Sequence, residues 1–232
     1  MVRHALRYGL ARDGVGRLGG RSMIEIHWHI ERLDDNVEIA AVDGECLFEI
    51  EGAIHCDDKE AGEVGATYVF LEEPTTDDAF LWMWDLTAQA CEVYEQIVDP
   101  HHRVFRNPLP DFLGYATGVL CLHYIALKPE FRRRGIGREV VRETVRQFAD
   151  SRVGVVLIDV RPLQHRPNGY RDFPDEVRDL PFESAEVDQA RLIRHFESWG
   201  MIHVPGTGFM VAAPTSLCGE INPDWYPGLL EE

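Results

Sequence analysis

The sequence contains no apolar run approaching the roughly 20 residues that a membrane-spanning helix needs. Its first residues also lack the apolar stretch of a secretory signal. We therefore expect a soluble protein without a membrane partner. The five cysteines are widely spaced and include no CxxC pair, which is typical of reduced thiols and favours a cytoplasmic location. Internal repeats, low-complexity tracts, a Ser-His-Asp arrangement and kinase signatures are absent as well.

Positive charge is scarce, with 23 Lys and Arg against 40 Asp and Glu and a formal net charge of −17 at pH 7. This balance argues against a nucleic acid as the main partner and fits a cationic partner or a basic small molecule. The excess of acid is concentrated in residues 31–78, which hold 16 carboxylates against only Arg32 and Lys59. That region is a candidate surface for the acceptor, and a solvated surface that keeps the protein soluble is the alternative.

The first 22 residues have a different composition, with five arginines, five glycines and one acid before Met23. We expect them to be a disordered leader without core packing, or to result from a start assigned too early, with Met23 as the working start. Gly14 to Gly19 spells GxGxxG, but no apolar strand precedes it and a strand pattern follows it. A dinucleotide-binding turn is therefore not expected there.

Hydrophobic periodicity predicts a mixed α/β chain. Ile24, Ile26, Trp28 and Ile30 alternate with polar residues, as in a half-buried strand. A Ser184 cap opens a helix that ends at Gly200. The other expected elements are strands over 37–42, 46–50, 66–71, 119–127 and 153–160, helices over 78–98 and from 136 to 148, and a final strand or hairpin over 201–213.

The most informative segment runs from strand 119–127 through Lys128 to Gly137 and into an amphipathic helix. Gly135 and Gly137 let successive N–H groups point into one concavity, where the positive end of a helix dipole favours phosphate. Arginines flank this loop in an otherwise acidic protein, at positions Arg132, Arg133, Arg134 and Arg138. We therefore expect an anionic ligand here, and a solvated basic helix start is the alternative.

These residues resemble a known family. Arg132-Arg133-Arg134-Gly135-Ile136-Gly137 is similar to the [Q/R]xxGx[G/A] acetyl-CoA motif of the GNAT N-acetyltransferase superfamily, and Arg194 to Met201 is similar to its FYEKxGF segment. The resemblance covers residues 115–213 and implies a GNAT fold, with a mixed, mostly antiparallel sheet and flanking helices. It implies a single domain over 23–213, with the acceptor side at 23–112, the acetyl-CoA side at 113–213 and a tail at 214–232.

The resemblance also implies roles for individual residues. The backbone of Ile125, Ala126 and Leu127 would bind the pantetheine arm, and the loop from Arg132 through Arg133, Arg134, Gly135, Ile136 and Gly137 to Arg138 would bind the pyrophosphate. His123 occupies the position of the general base, although it could equally be a hydrogen-bonded pocket or core residue. Phe196 stands where members often have a tyrosine acid, so Tyr124 and Tyr170 are candidate replacements. The loop from Arg161 to Pro181 is longer than usual.

The implied function is an acetyl-CoA-dependent N-acetyltransferase that acts on a small-molecule or protein amine. It would need no metal, and a homodimer is possible. Two alternatives stay open: a non-catalytic acyl-CoA-binding module and a protein-interaction component of a toxin-antitoxin type. A zinc site is a further alternative, because His27 and His29 share one strand face and other ligands could come from His55, Cys56, Asp57, His101 and His102.

Overall fold

The computed structural model describes residues 13–18, 22–32, 46–70, 96–99, 104–105, 118–149, 153–165 and 183–218. Their strands are β1 (Asp13–Leu18), β2 (Ser22–Arg32), β3 (Cys46–Cys56), β4 (Lys59–Phe70), β5 (Val98–Asp99), β6 (Val104–Phe105), β7 (Gly118–Leu127), β8 (Val153–Asp159), β9 (Ile202–His203) and β10 (Phe209–Ala212). The helices are α1 (Ile136–Phe148), α2 (Ala185–Glu197) and α3 (Pro214–Cys218), with 3₁₀ turns at Pro129–Phe131 and Leu163–His165.

Eight of these strands form one mixed sheet in the order β1-β2-β3-β4-β7-β8-β10-β9, and β5 and β6 pair separately. The neighbours β7 and β8 run parallel, and the other neighbours in the sheet are antiparallel. Parallel pairing of β7 and β8 requires a crossover, which α1 provides. This arrangement confirms the expected fold class.

The N-terminal strands form their buried face as the sequence predicts. Ile24, Ile26, Trp28 and Ile30 are all buried, because alternate residues of a strand point to the same side of the sheet. The Trp28 ring meets Phe148 of α1 edge-on, with ring centroids 4.8 Å apart. Together with Val140, Val141, Val145 and other core residues, these side chains pack helix α1 onto the sheet.

Strands β3 and β4 are longer than the strands that the sequence predicts over 46–50 and 66–71. They form a continuous hairpin whose two-residue turn is Asp57-Asp58, with φ of 51° and 61°. Positive φ at both central positions is the type I′ geometry that matches the twist of paired strands, and Asp tolerates it better than most residues. The hydrophobic alternation of these strands is interrupted by Gly52, Gly62 and Gly65, which hides their length in the sequence.

Three other expectations need comment. The predicted strand over 37–42 and most of the helix over 78–98 lie outside the described residues. Its described end, residues 96 and 97, is helical as predicted, and the helix stops one residue early because Val98–Asp99 form strand β5. Helix α2 agrees with the sequence, since the Ser184 hydroxyl accepts the Val187 N–H at 3.4 Å as an N-cap.

Part of the presumed leader and part of the presumed tail belong to the fold. Residues 13–18 form β1, which pairs with β2 through six residue positions and lies against α1. Residues 214–218 form α3, which contacts α1 and β8 and buries Pro214 and Leu217. The expectation of an unpacked segment before Met23 is therefore wrong for residues 13–18. Glycines alternate with Val15 and Arg17 there, so the segment has few apolar side chains to indicate a strand.

No helix in the described part of the chain is long and apolar enough to cross a membrane.

Removing residues 1–18 should lower the melting temperature, because the deletion takes β1 from the sheet and exposes the edge of β2. For a chain of this length a loss of 1 kcal/mol lowers Tm by roughly 2–4 °C, so we expect a decrease of about 4 °C or more. Thermal melts of the full chain and the shortened chain measure the difference. An unchanged Tm would show that β1 adds nothing to the stability of the sheet.

Candidate functional site

The site begins where β7 and β8 part. Their parallel pairing ends at Leu122 and Ile158, whereas β7 continues to Leu127. Beyond this point β8 stays with β10, where Asp159 pairs with Phe209 and Val160 donates its N–H to Gly208. Strand β7 keeps its other partner, β4, through Leu127. The result is a gap in the sheet with one edge of β7 facing it.

A β-bulge lies at the same place. Leu122 pairs with Ala66 and Tyr124 pairs with Gly65, so His123 is an extra residue without an opposite residue on β4. A bulge of this kind bends the strand and re-aims the side chains that follow it. The bulge thus coincides with the parting of β7 from β8.

His123 is buried beside this bulge, with 7% of its surface exposed. The Thr67 hydroxyl oxygen lies 2.6 Å from Nε2, and the Cys121 Sγ lies 3.8 Å from Nδ1. Both ring nitrogens therefore have neighbours on β4 or β7, and His123 does not line the cleft described below. These contacts fit a hydrogen-bonded pocket or core histidine at least as well as they fit a general base that faces the substrate.

Of the two glycines that the sequence indicates in the loop between β7 and α1, Gly135 has a left-handed backbone, whereas Gly137 lies in the first turn of α1. Gly135 is the N-cap of α1 with φ of 81°, and Arg133 also has a left-handed φ of 59°. Left-handed residues that alternate with right-handed or extended ones turn successive N–H groups toward one side and form an anion-binding nest. The N–H groups of Gly135, Ile136 and Gly137 have no acceptor in the described part of the chain, as expected at a helix start.

The four arginines of this loop have different contacts. Arg132 donates from Nε to the Leu127 carbonyl at 2.7 Å and so ties the loop to the end of β7. Arg134 lies over the Phe131 ring at 5.7 Å, and Arg138 lies 6.0 Å from the ring centre of Trp199. Arg133 lines the cleft. The expected anion-binding role therefore fits Arg133 and Arg138 better than Arg132, which braces the loop.

A cleft of about 520 Å³ occupies the gap between β7 and β8 and continues along α2. Its apolar wall consists of Leu122, Ile125 and Ile158 from the strands, with Leu192 and Phe196 from α2. Its polar wall holds Arg133, Asp159, Arg161, Gln164, Asp188, Arg191 and His195. The cleft therefore extends from the nest before α1 to an apolar region beside the free edge of β7.

Tyr124 lines this cleft, and Gly65 makes room for its ring. A Cβ at position 65 would lie 2.2 Å from the Cε1 atom of Tyr124 and 2.8 Å from its hydroxyl. No real side chain fits at such distances, so only glycine at position 65 permits this placement of the ring. The sequence indicated Tyr124 as a candidate but carried no signal for its dependence on Gly65.

Two buried carboxylates fix the wall opposite β7. Asp159 binds the Arg161 guanidinium through both oxygens and also accepts the Arg161 backbone N–H. Asp188 accepts hydrogen bonds from His165 at 2.9 Å, Gln164 at 3.4 Å and the Glu183 backbone N–H at 3.3 Å. The bond from His165 lowers the pKa of Asp188 below its usual value.

Asp188 thus joins the two ends of segment 166–182, because Gln164 and His165 precede that segment and Glu183 follows it. No local sequence pattern indicates this contact, because His165 and Asp188 are 23 residues apart. The expected substitute donor Tyr170 falls within segment 166–182 and lies outside the described residues.

The possible metal ligands do not form a site where the structure describes them. His27 and His55 lie close, with ring centroids 4.8 Å apart, but the described residues contain no group of three or more His, Cys, Asp or Glu placed to hold an ion. His101 and His102 lie outside the described ranges.

The parted mixed sheet and the left-handed loop at the start of α1 define an α/β protein whose cleft adjoins a backbone geometry typical of anion-binding nests. Residues 79–167 match the model of the acetyltransferase (GNAT) family. The match includes β7, the nest, α1 and β8 and confirms the resemblance that the motifs indicated. No curated protein and no solved structure matches the chain significantly.

Gly65→Ala should lower the free energy of unfolding by about 1–3 kcal/mol, the usual cost of overpacking a buried site. The added methyl group would meet the Tyr124 ring, so the same substitution in a Tyr124→Ala background should cost much less. Urea denaturation of the four proteins gives this double-mutant cycle. Equal costs in the two backgrounds would show that the Tyr124 ring does not press on position 65.

Proposed function

We propose that the protein is an acetyl-CoA-dependent N-acetyltransferase in which an acceptor amine attacks the thioester directly, with both substrates bound together. The observation that carries this proposal is the gap between β7 and β8 with the nest at its mouth, inside the segment that matches the GNAT family. Holding two reactants in one cleft removes much of the entropic cost of a bimolecular step.

The residues around the nest and the cleft suit acetyl-CoA as the acetyl donor. The N–H groups of the nest, Arg133 and Arg138 can neutralise a diphosphate at the positive end of α1. The open edge of β7 at Ile125 and Ala126 offers backbone groups to the amides of a pantetheine arm, in the way that a peptide adds to a strand edge. The Leu127 carbonyl already accepts a hydrogen bond from Arg132, so it is less available to the pantetheine arm than the motif implies.

The chemistry requires a proton acceptor, because an amine of pKa near 10 is only about one part in a thousand neutral at pH 7. His123 is our candidate for this role, acting at the bulge where β7 leaves β8, with Thr67 against its Nε2. Tyr124, which lines the cleft itself, is the second candidate for moving a proton. Phe196 has no proton to give, but a thiolate with a pKa of about 8.5 can leave with help from water.

The acceptor is proposed to be a cationic amine. In the described part of the acidic region, Glu49, Asp57, Asp58 and Glu60 are exposed on β3, β4 and their turn. Lys128 lies 3.1 Å from Glu60 and offsets only part of this negative charge. An acceptor approaching over these strands would be attracted electrostatically, more strongly at low salt.

Phe196 supports one other function, a module that binds acyl-CoA without turnover. The discriminating experiment incubates the full chain with acetyl-CoA and a panel of amines and measures free CoA with a thiol reagent. Thiol release that requires both an amine and an intact nest supports the transferase. Tight acetyl-CoA binding without release for any amine would favour the binding module.

Gly137→Glu should abolish acetyl-CoA binding, because it places a carboxylate beside the N–H groups that would receive the diphosphate. A Cβ at this position meets no atom within 4 Å, so Gly137→Ala is a matched control that should fold and bind. Isothermal titration calorimetry measures the two dissociation constants. Wild-type affinity in Gly137→Glu would contradict the proposed donor site.

His123→Ala should lower kcat by roughly 10²–10⁴-fold while the Kd for acetyl-CoA changes little, if the imidazole takes the proton of the amine. Raising the pH should recover part of the loss, because more of the amine becomes neutral. Thr67→Val, which removes the hydroxyl beside Nε2, is the comparison that tests how far the role of His123 depends on this neighbour. A kcat within about a factor of two of wild type at neutral pH would exclude His123 as the base.

A further inference from the structure

His195 faces the cleft from the wall opposite β7. Asp188, Arg191, Leu192, His195 and Phe196 all line the cleft, and their spacing of three and four residues places them on one face of α2. His195 is the last titratable residue on this face, next to the helix end. It belongs to the segment from Arg194 to Met201 that resembles the family motif, and the resemblance implies no role for it.

The His195 ring is held by aromatic neighbours. Its centroid is 4.7 Å from Trp199 and 5.7 Å from Phe196, both at steep interplanar angles. Arg138, from the first turn of α1, reaches the same Trp199 ring. Neither ring nitrogen of His195 has a hydrogen-bond partner in the described part of the chain, so the imidazole can bond to a ligand.

The charges around His195 are mixed, because Asp188 lines the same face of α2 and pairs with Arg191 at 3.3 Å, and Glu183 pairs with the same guanidinium. Arg138 approaches from α1, Arg133 lines the cleft from the loop, and Arg191 precedes His195 by one turn on α2. Tyr124 is the titratable residue that lines the cleft from β7, and from the end of β8 the Arg161 charge is offset by Asp159. Partial burial, and then the charge of Arg138, lower the pKa of His195 below its usual value.

We propose that His195 is a proton-linked ligand of the donor's diphosphate: it takes one proton from solvent when the anion binds and donates a hydrogen bond to it. The inference rests on the proposed function, because it needs a phosphate-bearing donor at the nest. An anion beside Arg138 offsets the positive charge that disfavours the imidazolium, so binding and protonation favour each other. The proton leaves hydronium or a buffer acid and forms an N–H bond on the imidazole, and no bond of the donor forms or breaks in this step.

The sign of the pH dependence follows from linkage. The pKa of His195 is low in the free protein and rises when the diphosphate binds. Affinity is therefore strongest at a pH below both values and weakens as pH rises through the pKa of the complex. Each unit by which binding raises the pKa strengthens the affinity at low pH by up to about tenfold.

The probe is dephospho-CoA, which lacks the phosphate monoester that would itself titrate near pH 6. Calorimetry at constant ionic strength gives its Kd from pH 5.5 to 8.5, the range in which a histidine changes charge. For the wild type we expect Kd to be smaller by about threefold to tenfold at the acid end. Titrations near neutral pH in two buffers of different ionisation enthalpy should show uptake of up to one proton.

His195→Gln keeps a polar side chain but cannot titrate, so its Kd should be nearly independent of pH and its proton uptake should disappear. His29→Gln, an exposed substitution on β2, is the control and should follow the wild type. A wild-type Kd independent of pH, or an equal pH dependence in His195→Gln, would overturn the proposal for His195. Absence of dephospho-CoA and acetyl-CoA binding at every pH would instead refute the donor site itself.

Discussion

Backbone pairing along β7 is the constraint on which the rest of the site depends. The strand is bonded on both sides as far as Leu122 and on one side afterwards. Buried backbone N–H and C=O groups need partners, so an edge left open inside a protein calls for water or for a ligand with its own amides. The bulge at His123 gives the strand the local bend that accompanies this change of partners. A continuous eight-stranded sheet would have no cleft at this position.

Under the proposed function, the nest would meet a second requirement, the binding of a negatively charged donor by an acidic protein. A net charge of −17 opposes any approaching anion, and long-range attraction cannot provide the binding. The solution is short-ranged: N–H groups fixed by the left-handed Gly135 and Arg133, with arginines held by the chain around them. Arg132 stabilises the loop through its bond to the Leu127 carbonyl, so one residue of this basic motif has a structural role.

The sequence predicts best what depends on neighbours along the chain. The alternation in β2, the apolar face of α1, the Ser184 cap and the glycine loop all arise within a few residues, and the structure contains each of them. What requires distant residues was missed. β1 has a polar, glycine-containing sequence and becomes a strand only because β2 offers an edge. The placement of Tyr124 depends on Gly65, and the wall at Asp188 depends on Gln164 and His165.

The hydrogen bonds to Asp188 have a consequence for how this site can change over evolution. They bring residue 165 and residue 183 to the same carboxylate, so the described flanks of segment 166–182 are joined at a single clasp. The entropic cost of closing a loop grows only slowly with its length, so residues can be added or exchanged beyond such a clasp at small thermodynamic cost. The strands and helix that line the cleft need not move when this happens. The clasp therefore separates a part of the protein that can vary from a part that must not.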